Sequence, residues 1–204
     1  MSAIRAIVFD LAGVVLHTIR GSFNSLLAER LGVPEENVAA IINSTVNDQW
    51  DMDEIDDDTF YTHLLTELGL PMERKSIVAA FTRDDFYIDQ DMLTEIKKLR
   101  KTYQTALLTN FPAHVHDYMG TDWVVDGAFD VVIASCDVGL IKPDPMIYQA
   151  TLERLDCAPR EAVFIDDRAV NVAGAQDVGM HGILFKDKQQ ALDELDHLLA
   201  QYAN

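Results

Sequence analysis

The stretch Ile7-Val8-Phe9-Asp10-Leu11-Ala12-Gly13-Val14-Val15 constrains what this chain can fold into more than any other segment. Apolar residues run into a single carboxylate, and a small residue and a glycine follow at once. The pattern reads as a buried strand over residues 5–9 that delivers Asp10 to an exposed position at its C-terminal end. In an open α/β sheet the ligand crevice lies beyond the carboxyl ends of the strands, so an aspartate leaving a strand there sits where chemistry is done. A lone aspartate at such a place more often closes a turn or caps the next segment. The functional reading therefore rests on what the other strand ends carry.

Beyond this strand the apolar spacing changes from two residues to about three and a half, the helical period. Ser22 is placed to cap a helix with Phe23, Leu26, Leu27 and Leu31 inward, and Gly32 stops it. Pro34 opens a second helix with Val38, Ile41, Ile42 and Val46 on one face. The acidic run 51–58 is expected to include a loop, to stay solvated or to cap a third helix over 59–68. It lacks the spaced oxygen ligands of a calcium-type loop. The third helix uses Phe60, Leu64, Leu65 and Leu68 and ends at Gly69, and Pro71 starts a fourth that runs to residue 80. Trp50, Phe60 and Tyr61 are expected inside this part. Residues 16–86 thus read as four or five helices without a strand, a helical subdomain inserted after the first strand.

The remainder alternates. Asp89 caps a helix to residue 99 with Met92, Leu93, Ile96 and Leu99 inward, and Lys97, Lys98, Arg100 and Lys101 suit the negative end of its dipole. A strand over 104–109, a helix near 113–119, a strand over 131–134 and a helix opened by Asp144-Pro145 follow. Then come a strand over 162–165, a helix over 170–178, a strand over 181–185 and a last helix capped by Asp187 with Leu192, Leu195, Leu198 and Leu199 inward. Strands alternating with helices imply an α/β fold whose mostly parallel sheet is covered on both faces.

A net charge of -18 on 204 residues argues against nucleic acid or an anionic membrane surface as partner, because either would be repelled over most of the surface. A small phosphorylated ligand stays compatible, since a lysine, a helix N-terminus and a divalent cation reverse the sign inside a pocket. Cys136 and Cys157 are far apart in sequence and near no Cys/His cluster, so no soft-metal site is expected. With no signal-peptide pattern and no run long enough to span a membrane, the expectation is a cytoplasmic protein with reduced thiols.

Four strand ends carry polar residues: Asp10, Thr109-Asn110, the loop Gly139-Leu140-Ile141-Lys142-Pro143-Asp144, and Asp166-Asp167. Paired aspartates after a buried Phe-Ile strand repel each other and need solvent, hydrogen bonds or a cation to stay charged. Together the four make a coherent phosphoryl-transfer site. Asp10 serves as a carboxylate nucleophile, and Mg²⁺ between Asp10 and the Asp166-Asp167 pair brings nucleophile and phosphate together despite their like charge. Thr109 and the following backbone N–H bind a phosphoryl oxygen, and Lys142 offsets the shared negative charge.

On these residues the chain resembles the haloacid dehalogenase-like superfamily over essentially its whole length. The four motifs occur in family order as Asp10-Leu11-Ala12-Gly13-Val14, Leu107-Leu108-Thr109-Asn110, Gly139 to Asp144, and Phe164-Ile165-Asp166-Asp167, and the run Asn171 to Met180 fits the family's following helix and turn. The resemblance implies a Rossmann-like three-layer core over residues 1–15 and 87–204 with an all-helical cap over 16–86. It also implies Asp10 as nucleophile and Mg²⁺ ligand, the Ala12 carbonyl as a second ligand, Asp167 as a direct ligand and Asp166 as one acting through water. Thr109, Asn110 and Lys142 would bind the substrate phosphate, with His17 at the edge of the cleft. The implied substrate is a small phosphorylated molecule; the oligomeric state is left open.

Ala12 departs from the family pattern, in which an aspartate there protonates the leaving oxygen and later activates water. A positioned acid or base contributes roughly 10²- to 10⁴-fold in rate, so substrates with good leaving groups are expected: sugar 1-phosphates, acyl phosphates and aryl phosphates. Two alternatives stand beside a phosphatase. A 2-haloacid dehalogenase needs no acid for halide, although paired aspartates argue for metal and phosphate, and a catalytically impaired protein would bind phosphate or a partner without turnover. Arg20 and Arg168 are open to either a substrate contact or a surface ion pair. His114 and His116, two apart, point to different helix faces.

Overall fold

β1 (Ala6–Phe9) is entirely apolar and entirely buried, and so needs cover on both faces. In the computed structural model, which describes residues 3–121, 123, 125 and 127–202, that cover comes from two helical layers. Along the chain lie β2 (Leu16–Thr18), α1 (Phe23–Leu31), α2 (Glu35–Ile42), α3 (Thr45–Asp51), α4 (Asp57–Glu67), α5 (Lys75–Asp84), β3 (Phe86–Ile88) and α6 (Gln90–Leu99). They are followed by β4 (Gln104–Thr109), α7 (Val115–Gly120), β5 (Val131–Ala134), α8 (Ser135–Val138), α9 (Pro145–Arg154), β6 (Ala162–Asp166), α10 (Ala169–Asp177), β7 (His181–Leu184) and α11 (Lys188–Tyr202).

The main sheet is parallel, in the order β5-β4-β1-β6-β7. Side chains alternate across it. Ile7 and Phe9 join Met92, Leu93 and Ile96 of α6 and Leu195 of α11 on one face. Ala6 and Val8 join Ile147, Tyr148 and Leu152 of α9 and Ala175 of α10 on the other. This is the α/β arrangement with a parallel sheet covered on both faces that the alternating pattern implied, and the Rossmann-like three-layer core that the family resemblance implied. Register then places the polar residues. Phe9 pairs with Leu107 on one side and Ile165 on the other, so Asp10 leaves the sheet beside Leu108 and Asp166. The chain builds β4 and β5 to one side of β1 and β6 and β7 to the other, and such a reversal of strand order opens a crevice at the carboxyl ends.

The insert between β1 and α6 differs from the sequence expectation in two ways. It begins and ends in strands: β2 and β3 pair antiparallel, with His17 opposite Tyr87. Each is three residues long and finds its partner at the far side of the insert, so no local alternation marks it. The expected second helix is also broken. The Asn43 side chain donates to the Ala39 carbonyl and the Ser44 hydroxyl to the Ile41 carbonyl, closing α2 before α3 begins. Helices α1, α2, α4 and α5 bury their own apolar cluster, including Leu27, Leu31, Val38, Leu64, Val78 and Phe81. Leu16 and Ile88 belong instead to the cluster under the sheet, and Phe86 touches both clusters, so the β2–β3 ribbon is where insert and sheet meet. No helix among the described residues is long and apolar enough to cross a membrane.

Candidate active site

Asp10 is buried, only 5% exposed, where the sequence pattern suggested an exposed carboxylate. Lys142 covers it. The ammonium lies 2.7 Å from Asp10 Oδ1, 2.8 Å from Asp166 Oδ2 and 3.0 Å from the Leu108 carbonyl, which engages all three of its N–H donors. Asn110 fixes the loop that carries this lysine. Its Oδ1 accepts from the Lys142 backbone N–H at 2.8 Å, and its Nδ2 donates to the Lys142 carbonyl at 2.9 Å. From behind, α10 comes close because Gly174 has no side chain: a Cβ there would sit 2.9 Å from Pro143 Cβ and 3.0 Å from the Pro143 carbonyl.

The remaining acceptors of Asp166 are also filled, by the Arg168 backbone N–H at 2.7 Å and by Asn171 Nδ2 at 3.1 Å. The following carboxylate is different. Asp167 is solvent-exposed and lies over Gly13, whose φ of 88° and lack of a side chain let the first loop pass beneath it. A Cβ on Gly13 would overlap the Asp167 carboxylate. That loop is closed by Leu16 N–H donating to the Leu11 carbonyl at 2.7 Å and Gly13 N–H to the Leu16 carbonyl at 2.8 Å. One carboxylate oxygen each from Asp10, Asp166 and Asp167 fall within 4.8 Å of one another, a hard-oxygen donor set of cation size.

Burial dominates the electrostatics. It pushes the Asp10 carboxyl up to about 7, with Lys142 pulling the other way. Burial also raises Asp167, reinforced by the neighbouring Asp166 charge. For Lys142, burial alone would favour the neutral amine, but Asp10 and Asp166 outweigh it and hold the ammonium charged, above the usual lysine range.

Two cavities open here. One, about 400 Å³, is lined by Asp10, Thr109, Lys142 and Asp167 and reaches His17 on the ribbon. The other, about 410 Å³, runs under the insert past Trp50, Asp51, Phe111 and His114. They share Ala12, Phe23, Asn110, Lys142 and Arg168. Asp10, Ala12, Thr109, Asn110, Lys142 and Asp167 therefore meet around one space, with the fully buried Asp166 tied to it through Lys142. His17 reaches that space while packing against Tyr87 and Phe185 at ring-centroid distances of 5.9 and 6.4 Å.

Other candidates fall elsewhere. Arg20 pairs with Glu29 at 2.8 Å, whereas Arg168 faces both cavities. His114 lies 3.1 Å from Asp57, and Trp50 stacks on Phe60 at 3.9 Å while donating to the same aspartate at 2.8 Å. His116 lies 2.8 Å from Asp137 and 4.0 Å from Cys136 Sγ. A Cys/His/Asp group thus forms where sequence separation suggested none, because His116 on α7 reaches Cys136 and Asp137 on α8. Both cysteines are free thiols. Two residues at the site have no marker in the sequence. Ser135 accepts from the Phe111 N–H at 2.9 Å and donates to the Asp51 carbonyl, joining the core to the insert, and Asp51 lines the second cavity.

A family model for haloacid dehalogenase-like hydrolases matches residues 4–179. A sesquiterpene phosphatase from Aspergillus oryzae is 28% identical over 199 residues, which cover 96% of each chain. A bifunctional epoxide hydrolase 2 from Sus scrofa is 30% identical over a span covering 95% of this chain but 38% of that protein, so this chain spans well under half of that relative. Among solved structures, a HAD family enzyme from Bacteroides thetaiotaomicron in complex with magnesium and inorganic phosphate superposes with a TM-score of 0.75 at 23% identity, covering 96% of this chain and 99% of that one. The family match runs from the first strand through the helix after the paired aspartates, and on that ground the chain belongs to the haloacid dehalogenase-like hydrolases.

Proposed function

We propose that this chain is a Mg²⁺-dependent phosphatase-like hydrolase acting on a small phosphorylated molecule through an aspartyl-phosphate intermediate. The observation that carries the reading is the convergence of Asp10, Asp166 and Asp167 at the ends of β1 and β6, with buried Lys142 paired to the first two. Asp10 is the nucleophile. Its neighbour Thr109 and the N–H of the next residue bind a phosphoryl oxygen, Asn110 and Lys142 hold the phosphate end, and His17 borders the substrate. Lys142 is fixed before substrate arrives, so its charge stabilises the transferring group with little reorganisation.

The donor set fits a hard divalent cation. Asp10, Asp167 and the Ala12 carbonyl would hold Mg²⁺ directly, and Asp166, whose oxygens already accept from Lys142, Arg168 and Asn171, would act through water. The ion supplies charge that lets a carboxylate and a phosphate approach, and it favours the ionised form of Asp10.

Ala12 itself has no proton to give, so the substrates to test first are those that depend least on an acid at position 12: acyl phosphates, sugar 1-phosphates and aryl phosphates. The second cavity has a carbon-rich wall of Phe23, Ile42, Trp50, Phe111 and Pro112, which suits an aryl or prenyl group. The sesquiterpene phosphatase relative adds a prenyl phosphate to the set worth testing. Residues 16–86 act in this reading as a cap over a core of residues 1–15 and 87–204, shielding the site from bulk water. Two free thiols suit a cytoplasmic setting.

The test is turnover on sugar 1-phosphates, acyl, aryl and prenyl phosphates and 2-haloacids, with and without Mg²⁺, against an Asp10→Asn control. Phosphate release that requires both Mg²⁺ and Asp10 is expected. Metal-independent turnover of a haloacid would overturn the reading in favour of a dehalogenase. Retained Mg²⁺ and phosphate binding without turnover would make the chain a binding protein.

A further inference from the structure

We propose that Asp51, on the last turn of α3 in the insert, is the proton donor and acceptor that position 12 cannot supply. The inference rests on the aspartyl-phosphate reading. In-line displacement by Asp10 puts the leaving oxygen on the far side of phosphorus, toward the insert rather than the sheet. Asp51 lines the cavity on that side, together with Ala12, Asn110 and Lys142. Its position relative to the core is set by one buried hydroxyl: Ser135 Oγ donates to the Asp51 carbonyl and accepts from the Phe111 N–H at the end of β4. Its own carboxylate accepts from Asn47 Nδ2 at 3.0 Å.

The charged groups around it are Asp48 on its own helix and Lys142 and Arg168 from the core; His114, in the cavity wall, is hydrogen-bonded to Asp57. Burial, then Asp48, pushes the Asp51 carboxyl up to about 7, against the pull of Lys142 and Arg168. A group divided between its two forms near neutrality suits both halves of the reaction.

In the first half, an Asp10 oxygen bonds to phosphorus as the bond to the leaving oxygen breaks. The electron pair goes to that oxygen, which takes the Asp51 proton. In the second half, water enters from the vacated side and gives Asp51 a proton as its oxygen bonds to phosphorus. The Asp10–phosphorus bond breaks, and orthophosphate and the Asp10 carboxylate are released. The balance is ester plus water to alcohol plus phosphate.

The test is Asp51→Asn in the full chain with Mg²⁺ on a series of aryl phosphates. kcat/KM, which covers steps up to departure of the leaving group, should fall roughly 10²-fold or more on phenyl phosphate and far less on p-nitrophenyl phosphate. With the base lost, p-nitrophenyl phosphate should give a burst followed by slow turnover. Ala12→Asp in the same chain should restore the phenyl phosphate rate. The unaltered chain carries the same test: its rate on phenyl phosphate, relative to p-nitrophenyl phosphate, should fall as pH rises through about 7. An equal loss across the series without a burst, or no difference between the two pH profiles, would overturn the assignment of Asp51 while leaving the phosphatase reading intact. Absence of any phosphate release by the unaltered chain would instead strike that reading.

Discussion

Lys142 is the counter-charge for two buried carboxylates, 2.7 Å from one and 2.8 Å from the other. Removing one partner of such a group leaves charge uncompensated in the interior. Lys142→Met is therefore expected to abolish turnover and to lower stability without metal by roughly 3–5 kcal/mol, read by denaturant unfolding. A loss under ~1 kcal/mol would mean that the carboxylates are neutralised some other way. Gly13 makes a second, more local claim. Gly13→Ala places a methyl against Asp167 on a backbone with φ of 88°, so Mg²⁺ affinity measured by calorimetry should drop while the sheet stays folded. Unchanged affinity would remove Asp167 from the ligand set. Asp10, Thr109 and Asp166-Asp167 are readable in the sequence because each ends or directly follows a buried apolar strand, whereas Lys142 lies in a loop of half-buried and exposed residues and is legible only through the motif Gly139 to Asp144. Asp51 is not legible. It sits in an acidic run whose members look alike in sequence, and only closure of the insert on Ser135 singles it out.

Among the elements, α10 and the loop carrying Lys142 are packed to contact at Gly174. Alanine in a helix gains about 1 kcal/mol over glycine, but overpacking a tight contact costs about 1–3 kcal/mol, and here the contact is Pro143 backbone as well as Tyr148. Gly174→Ala should lower both the melting temperature and kcat, because relief moves the Lys142 loop. A raised melting temperature with full activity would show the loop to be compliant. The core strands were legible as elements, since apolar runs between helical periods have few alternatives. The β2–β3 ribbon was not, because each strand has only three residues and a distant partner, and the break between α2 and α3 depends on side-chain bonds from Asn43 and Ser44 that apolar spacing does not report.

For the whole molecule, the raised carboxyls set how stability varies with pH. Asp10 and Asp51 move from 3.8 to about 7 in the folded chain, so between these values the folded state binds more protons than the unfolded one. Stability from these groups is fully present below about pH 4 and is lost as pH rises through about 7. Mutual repulsion within a chain of net charge -18 acts in the same direction. Melting in a chelator should therefore show a falling midpoint from pH 5 to pH 8, and added Mg²⁺ should raise the midpoint more at pH 8, where protons no longer compete for Asp10. A midpoint that rises over this range, or a Mg²⁺ effect larger at pH 5, would contradict the assignment.

The central claim is that Asp10 carries the phosphoryl group. The direct measurement is acid quenching during turnover of an aryl phosphate, borohydride reduction of the trapped acyl phosphate, and mass spectrometry of the peptide containing position 10. The account predicts homoserine at position 10, formed only when substrate and Mg²⁺ are both present. Turnover under the same conditions with position 10 unmodified at every quench time, or modification at another carboxylate, would contradict it.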